Sequence, residues 1–523
     1  MKALLIAINY YHEDSEFLGL ELLNAVLLQN SIASEILQVE YDYPIENYDK
    51  LFNNISLDDL LFVGFSPVYT IFREVKELSE YIKNKKPNIH ICAGGSAVSN
   101  SIKETFEYLK YLDSIVIGEG EITILELLNR LINNQNLNNL EGIAYKQNGM
   151  VVINDNRGII NDMDRLPWAN RTMIDNNTKI ARMQTARGCE GDCSFCAESR
   201  IFNIKQTKNP WRGRSVINIV DEMEYIVNEK GIREFDFIDN SFEDPFSING
   251  PNRLYEFAQE IIKRKLNVYY KVMMRTENIN KISTSIWKAL KKSGLVRVLL
   301  GIESGSQDTL NIFSKRATVN QNEIAYKFLL NELKINVIGS FIMFQPYMSI
   351  DEILSNIGFI FKIGIQHSYR TFINQIAVFS GTPIFEKMKH DGLLTKDYSI
   401  TNPYGYFFKD KKVGTICNKT IEVFSLLNHN DELEKTLNLL NFIFDEVIKK
   451  EKNNVGLYKL RNEIDIVKGK LGNEMLNIFE IIINNSQEDI VNFQPQIKNI
   501  QKTNSDATIT LSKIYRELLK ILV

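Results

Sequence analysis

Thr185-Ala186-Arg187-Gly188-Cys189-Glu190-Gly191-Asp192-Cys193-Ser194-Phe195-Cys196 follows an apolar run, Ala181–Ala186, that reads as a buried strand. Three cysteines therefore fall on a loop at a strand's carboxyl end, spaced by four and three residues. Such spacing lets three thiolates converge on one metal centre, and soft sulfur ligands favour iron–sulfur or zinc. Structural zinc normally closes with a fourth protein ligand nearby. No histidine lies between His90 and His367, and the other two cysteines, Cys92 and Cys417, are far away in sequence. Three thiolates on a four-iron cluster leave one iron open to an exogenous chelating ligand.

Outward from this loop the chain alternates strands and helices. Before it, Lys2–Ile8, Leu60–Ser66, Ile89–Ala93 and Ser114–Ile117 read as buried strands, with helical patterns at Phe17–Leu28 and Thr70–Asn84. This predicts an α/β domain over residues 1–145, a doubly wound, Rossmann-like parallel sheet. Gly94-Gly95 and Gly118-Glu119-Gly120-Glu121 stand where strands end, the edge at which such sheets bind ligands. Residues 146–175 hold a hairpin-like segment and Leu166-Pro167-Trp168, and read as a linker.

After the linker, Ala181–Ala186, Glu234–Asp239, Asn267–Met273, Val296–Ile302, Asn336–Ile342 and Thr371–Val378 form a second strand series. Six strand–helix units over residues 176–400 predict a partial (β/α)6 barrel of TIM type, with its chemistry at the strand carboxyl ends. Residues 401–523 are mainly helical, and Leu457, Leu460, Ile464, Val467 and Leu471 give one helix a single apolar face.

With 44% hydrophobic and 24% charged residues the composition is that of a soluble globular protein. A net charge of −4 gives no general attraction to nucleic acid or anionic membranes. No run approaches the ~20 apolar residues that span a bilayer. Five cysteines in 523 residues do not make a disulfide framework, and a cytoplasmic location is expected.

On these residues the chain resembles the radical S-adenosylmethionine (SAM) superfamily, in its branch with an N-terminal cobalamin-binding-like domain. The resemblance covers about residues 1–400 and rests on the three-cysteine motif with Phe195 before Cys196. Supporting matches follow in order: Gly118-Glu119-Gly120-Glu121, Arg214-Ser215, Phe237-Ile238-Asp239-Asn240, Arg275, Gly301-Ile302-Glu303-Ser304-Gly305-Ser306 and Gly381-Thr382-Pro383. The resemblance implies a [4Fe–4S] cluster on Cys189, Cys193 and Cys196, whose open iron chelates SAM and reduces it to a 5′-deoxyadenosyl radical. It also implies Phe195 near the adenine, and Asp239 and Asn240 on the methionine amino group. Arg275, Glu303 and Ser304 are candidates for the carboxylate or ribose, and Gly339 for backbone approach to adenine. For each of these the alternative is structural, since a strand-end Asp or Ser commonly caps the next helix.

Cobalamin is the further cofactor implied, with Gly94, Gly95, Gly118 and Glu119 at its site. A cobalt-ligating Asp-x-His-x-x-Gly loop is absent, and His12-Glu13-Asp14 after the first strand does not match it. A methylthiotransferase is excluded, because that group brings three more N-terminal cysteines and here Cys92 stands alone. The leading expectation is cobalamin-dependent methyl transfer to an unactivated carbon of a natural product or peptide. The alternative is cobalamin-free peptide modification, such as α-carbon epimerisation with Cys417 as hydrogen donor; the plain reading of Cys417 is a buried apolar-like residue. The expected partners are a small-molecule or peptide substrate and a reducing donor such as flavodoxin or ferredoxin, with no nucleic acid and no membrane. The acid-free stretch Arg200–Arg214, with Lys205, Lys208, Trp211 and Arg212, reads as a solvated loop or a holder for an anionic substrate.

Overall fold

The first strand, Lys2–Asn9 (β1), is apolar almost throughout, as expected of a strand covered on both faces. Leu4, Ile6 and Ile8 pack on one face with Val63, Phe65 and the helix Phe72–Lys85. Ala3, Leu5 and Ala7 point the other way, to Phe62, Cys92 and the helices Leu18–Gln29 and Gly120–Ile132. The structure, a computed structural model, describes residues 2–9, 16–175, 178–198, 211–245, 252–427, 455–487 and 489–522, with 433, 436, 437 and 440. They divide into two compact units.

Unit one comprises Met1–Met273, Lys292–Gly294 and Ala377–Gly405. Its larger sheet contains β1, Ser34–Glu40 (β2), Leu60–Phe65 (β3), His90–Ala93 (β4), Ser114–Val116 (β5), Ile143–Gln147 (β6) and Met150–Ile153 (β7). The order is β2-β1-β3-β4-β5-β6-β7. Pairs from β2 to β5 are parallel, and β6 and β7 join antiparallel. The hairpin read as the start of a linker is thus the outer edge of the first sheet.

The same unit holds Ile180–Met183 (β8), Glu234–Phe237 (β11) and the start of Tyr269–Arg275 (β12), paired in parallel. Between them Ala186–Arg187 (β9) and Arg212–Gly213 (β10) form a short antiparallel ribbon, Arg187 opposite Arg212. The run expected as one strand, Ala181–Ala186, is therefore broken at Gln184-Thr185, and the cysteine loop leaves from the ribbon. Ser215 caps the next helix, Val216–Lys230, by accepting from the Asn218 amide.

Unit two contains Met274–Lys291, Leu295–Ile376 and Tyr406–Val523. Leu295–Glu303 (β13) and Asn336–Phe341 (β14) pair in parallel. The run expected as a sixth strand is different: Arg370–Ile373 is a short helix, and Gln375 makes a single bridge to Phe344. Phe372 instead stacks on Phe424 and meets Phe479 at a tilt, at ring distances of 5.5 and 5.3 Å, so aromatic packing overrides the β-branched pattern. Leu457, Ile464, Val467 and Leu471 on Val455–Asn484 pack with Leu511, Ile514 and Leu518 of the last helix, Gln494–Leu522. None of the described helices is long and apolar enough to cross a membrane.

Arg171 is buried in unit one, 1% exposed. It donates to both Glu16 oxygens at 2.7 Å, to Glu222 at 2.6 Å and to the Arg182 carbonyl at 2.6 Å. One guanidinium thereby joins the segment after β1, strand β8 and the helix Val216–Lys230. Arg171→Met leaves buried Glu16 without its cation and Glu222 with Arg214 alone, and should lower the unfolding free energy by about 3–5 kcal/mol. Chemical denaturation followed by far-ultraviolet circular dichroism measures this loss.

Candidate active site

The carboxyl ends of β3, β4 and β5 open on a cavity of about 470 Å³ in unit one. Small residues, Gly64, Ala93, Gly94 and Gly95, line it, and a Cβ on Gly64 would meet Leu5 at 2.9 Å. Gly95 has φ +96°, a conformation that admits glycine readily, and it starts the turn after β4. The lining is largely apolar, with Leu5, Leu18, Leu23, Phe62 and Ile124, while Gly94, Gly95, Gly118 and Glu119 form its rim on the sheet side. On the opposite side stand Ala186, Arg187 and Gly188, the residues that lead into Cys189, together with Glu198, Ile238 and Asn240.

A buried ion cluster fastens this cavity to the cysteine loop. Arg187 donates to Glu119 at 2.9 Å and to Glu121, and its Nε donates to Gln184 at 2.7 Å. Arg212 donates to both Glu119 oxygens at 2.9 and 3.0 Å. Glu119 also accepts from the Ile160 amide. Its side chain is thus part of the wall itself. Further along the loop, the Asn100 side chain donates to the Ala197 carbonyl at 3.2 Å, and the Ile384 amide donates to Ser194 at 3.1 Å. Thr382, in the Gly381-Thr382-Pro383 motif, caps the helix Pro383–His390 that supplies this amide.

The three cysteines are half-buried, and none of the five is in a disulfide. The Gly191 amide points at Cys189 Sγ from 3.3 Å, a contact that favours thiolate character. Phe195 lies in the turn between Cys193 and Cys196 and is half-buried. Among the described residues no three Cys, His, Asp or Glu side chains are assembled at metal-binding distance. The fit to a cluster therefore rests on the donor set, three thiols on one short loop.

Asp239 and Asn240, neighbours in sequence, are sent in opposite directions. Asp239 is fully buried and accepts from the Thr185 and Ala186 amides at 2.6 and 3.0 Å and from the Thr185 hydroxyl. It holds the backbone that enters the cysteine loop. Asn240 is exposed and lines the cavity, as does Glu198. The anchoring function of Arg187 was not signalled by spacing, because it depends on a contact across 68 residues.

In unit two, Arg275 is ion-paired with Glu277. Burial raises the Glu277 carboxyl, but the Arg275 and Lys315 charges outweigh it and hold the pKa below its ordinary value. Lys315 also reaches Glu303 at 3.4 Å, and Ser340 donates to Glu303 at 3.1 Å, so Arg275 and Glu303 share one polar network. Ser304 faces elsewhere, donating to Asn356 at 2.8 Å. A Cβ at Gly339 would meet Ile302 at 2.7 Å, so this glycine answers to packing in its own unit. Cys417 is wholly buried in the helix Lys411–Ser425, its sulfur 3.7 Å from the Gln375 carbonyl, and burial pushes its thiol pKa up.

The solvated-loop reading of the basic stretch is corrected where it can be followed. Trp211 and Arg212 are 6% exposed, and Arg214 pairs with Glu222 at 2.6 Å. Arg200, Lys205 and Lys208, like His12, Glu13 and Asp14, lie outside the described residues.

Residues 183–360 match the model of the radical SAM superfamily. That segment is a radical SAM domain. The chain is 27% identical over 338 residues to an uncharacterized methyltransferase of Pyrococcus horikoshii, covering 64% of this chain and 70% of that one. It is 28% identical to the anaerobic magnesium-protoporphyrin IX monomethyl ester cyclase of Rubrivivax gelatinosus, over 51% of this chain and 48% of that protein's length. Among solved structures, the cobalamin-dependent SAM radical enzyme OxsB with aqua-cobalamin and SAM bound shares its fold at a TM-score of 0.70 and 18% identity, over 99% of this chain and 80% of that one. The radical SAM methyltransferase TsrM of Kitasatospora setae follows at 0.60 and 15%, over 75% and 76%. A radical SAM domain implies a [4Fe–4S] cluster and SAM, and Cys189, Cys193 and Cys196 are the residues whose chemistry fits the cluster.

Burial raises the Asp239 carboxyl from its ordinary 3.8 to about 6, against the opposing effects of the Thr185 and Ala186 hydrogen bonds and the Arg253 charge. A proton held more tightly by the folded chain stabilises it below the unfolded pKa, and that contribution is lost as pH rises through the folded value. The unfolding free energy of the native chain relative to Asp239→Asn should therefore fall between about pH 4 and pH 6 and level off above. Paired urea titrations across that window check the sign; a difference that rises with pH contradicts it.

Proposed function

We propose that this radical SAM enzyme is a cobalamin-dependent methyltransferase acting on an unactivated carbon of a natural product or peptide. One observation carries the reading: a cavity of about 470 Å³ at the strand ends of the Rossmann-like sheet is walled on its far side by Arg187 and Gly188, next to Cys189. The fold shared with OxsB along nearly the whole chain and the methyltransferase name of the Pyrococcus relative support it. The chain spans about half the length of several curated relatives, so its substrate is argued from its own residues.

When bound, the three cofactors supply a reducing electron, a carbon-centred radical and a transferable methyl group. The protein's part is placement. Cys189, Cys193 and Cys196 hold the cluster at three corners, and Phe195 lies beside the SAM base. Arg275 and Glu303 take the SAM carboxylate or ribose, and Gly94 and Gly95 let a nucleotide-like tail approach the backbone. Leu5, Leu18, Leu23, Phe62 and Ile124 keep water from the cavity. A flavodoxin- or ferredoxin-like protein supplies electrons, and the enzyme works in the cytoplasm. Epimerisation with Cys417 as hydrogen donor is not favoured, since that thiol is sealed in a helix core.

Anaerobic purification with iron, sulfide and cobalamin analysis tests the proposal. About four iron and four sulfide per chain are expected, with each Cys→Ala variant of the loop losing most of them. Retained cobalamin and release of S-adenosylhomocysteine alongside 5′-deoxyadenosine support methyl transfer; a loaded cluster with neither overturns it. In Gly94→Phe the new Cβ meets nothing closer than 3.7 Å, so the backbone tolerates it while the ring enters the cavity. That variant should keep its iron and lose cobalamin affinity by about tenfold or more.

A further inference from the structure

Gln184 stands at the carboxyl end of β8, just before the ribbon that leads to Cys189, and it lines the cavity. Two arginines pin it. Arg214 donates to its backbone carbonyl at 3.0 Å, and Arg187 Nε donates to its side-chain oxygen at 2.7 Å. A guanidinium has donors and no acceptor, so the amide must turn its oxygen to Arg187 and its nitrogen away. Among the described residues nothing accepts from that nitrogen, and it is not sealed in the interior either. Gln184 borders two spaces, the cavity of about 470 Å³ and a smaller one of about 40 Å³ that Trp168 also lines. The smaller has room for little beyond water, whereas the cavity has room for a ligand. Arg187, the cation of the lining, is already spent on Glu119 and Glu121. Gln184 has an N–H donor to offer.

We infer that Gln184, oriented by Arg187, is a binding residue of the cavity that donates from Nε2 to an oxygen of the corrinoid. The inference rests on the cobalamin reading and adds a polar contact by which that ligand is held. Cobalamin carries two kinds of oxygen acceptor, the carbonyls of the amides around its ring and the phosphate of its nucleotide tail. In a largely apolar cavity either one is costly to leave unmatched, and an N–H donor on the wall removes that cost. The Arg187 contact makes the donor a better one, because a guanidinium on the amide oxygen polarises the whole group. It also holds the side chain in place beforehand, so little conformational freedom is lost on binding.

Equilibrium binding of hydroxocobalamin to the cluster-loaded chain, read from its visible spectrum, tests this without turnover. Gln184→Glu is the discriminating variant, because a carboxylate still accepts from Arg187 and has no N–H to give. It should keep its iron and sulfide and bind hydroxocobalamin about tenfold more weakly than the native chain, or worse. Gln184→Leu removes donor and acceptor together and should weaken binding about fivefold or more. Cobinamide, which lacks the nucleotide tail and its phosphate, identifies the acceptor. Equal weakening of both ligands by Gln184→Glu assigns a ring amide; weakening of hydroxocobalamin alone assigns the phosphate. If Gln184→Glu binds hydroxocobalamin as the native chain does, the inference is overturned while the cobalamin reading stands. Loss of iron together with cobalamin in that variant also overturns it, since the side chain would then serve the cysteine loop and not the ligand. A native chain that takes up no cobalamin overturns both.

Discussion

The arrangement of unit one depends on a buried cluster in which Glu119 is shared between Arg187 and Arg212. All three side chains are at most 8% exposed, so none of the charges is well solvated and each is tolerable only because the others are present. Glu119 belongs to the loop after β5, while the two arginines face each other across the β9–β10 ribbon. The cluster therefore fixes the rim of the sheet against the residues that enter the cysteine loop. A hydrophobic contact there would hold the parts together but would permit sliding; guanidinium–carboxylate geometry is directional and permits much less. Arg171, with Glu16 and Glu222, repeats the device further down and ties the strand-end segment after β1 to the helix that follows the ribbon.

Directional fastening matters because the cavity opens on one face of the sheet. On the sheet face that carries Leu4, Ile6 and Ile8, large side chains meet the helix Phe72–Lys85 without leaving a void. On the opposite face Gly64 lines the opening, and the covering helix Leu18–Gln29 contributes leucines to its wall. The Arg187 cluster holds the lining residues Glu119 and Glu121 in place.

Much of this was legible in sequence. The strands β1, β3, β4 and β5 are apolar runs, and β3, β4 and β5 end at Ser66, Gly94 and Ile117-Gly118; a pattern of that kind belongs to a sheet buried on both sides. The edge strand Ser34–Glu40 went unread because its residues are half-buried and its polar positions mimic a loop. The sixth barrel position failed for the opposite reason: Thr371-Phe372-Ile373 has strand propensity, and the C-terminal helices recruit Phe372 into an aromatic cluster. The three cysteines declared themselves by spacing alone.

The pair Asp239-Asn240 shows why strand-end motifs need a structure to be apportioned. Successive residues of an extended segment point to opposite sides, so one polar pair serves two purposes. Asp239 turns inward, where two amides and a hydroxyl of Thr185 and Ala186 satisfy it, and it sets the path of the chain toward Cys189. Asn240 is exposed and lines the cavity. The two letters of the motif are thus divided between building the loop and furnishing the cavity beside it. Replacing the inner residue disturbs the entry to the cysteine loop; replacing the outer one alters the cavity wall. The same two letters in the sequence carry both consequences, and burial assigns them.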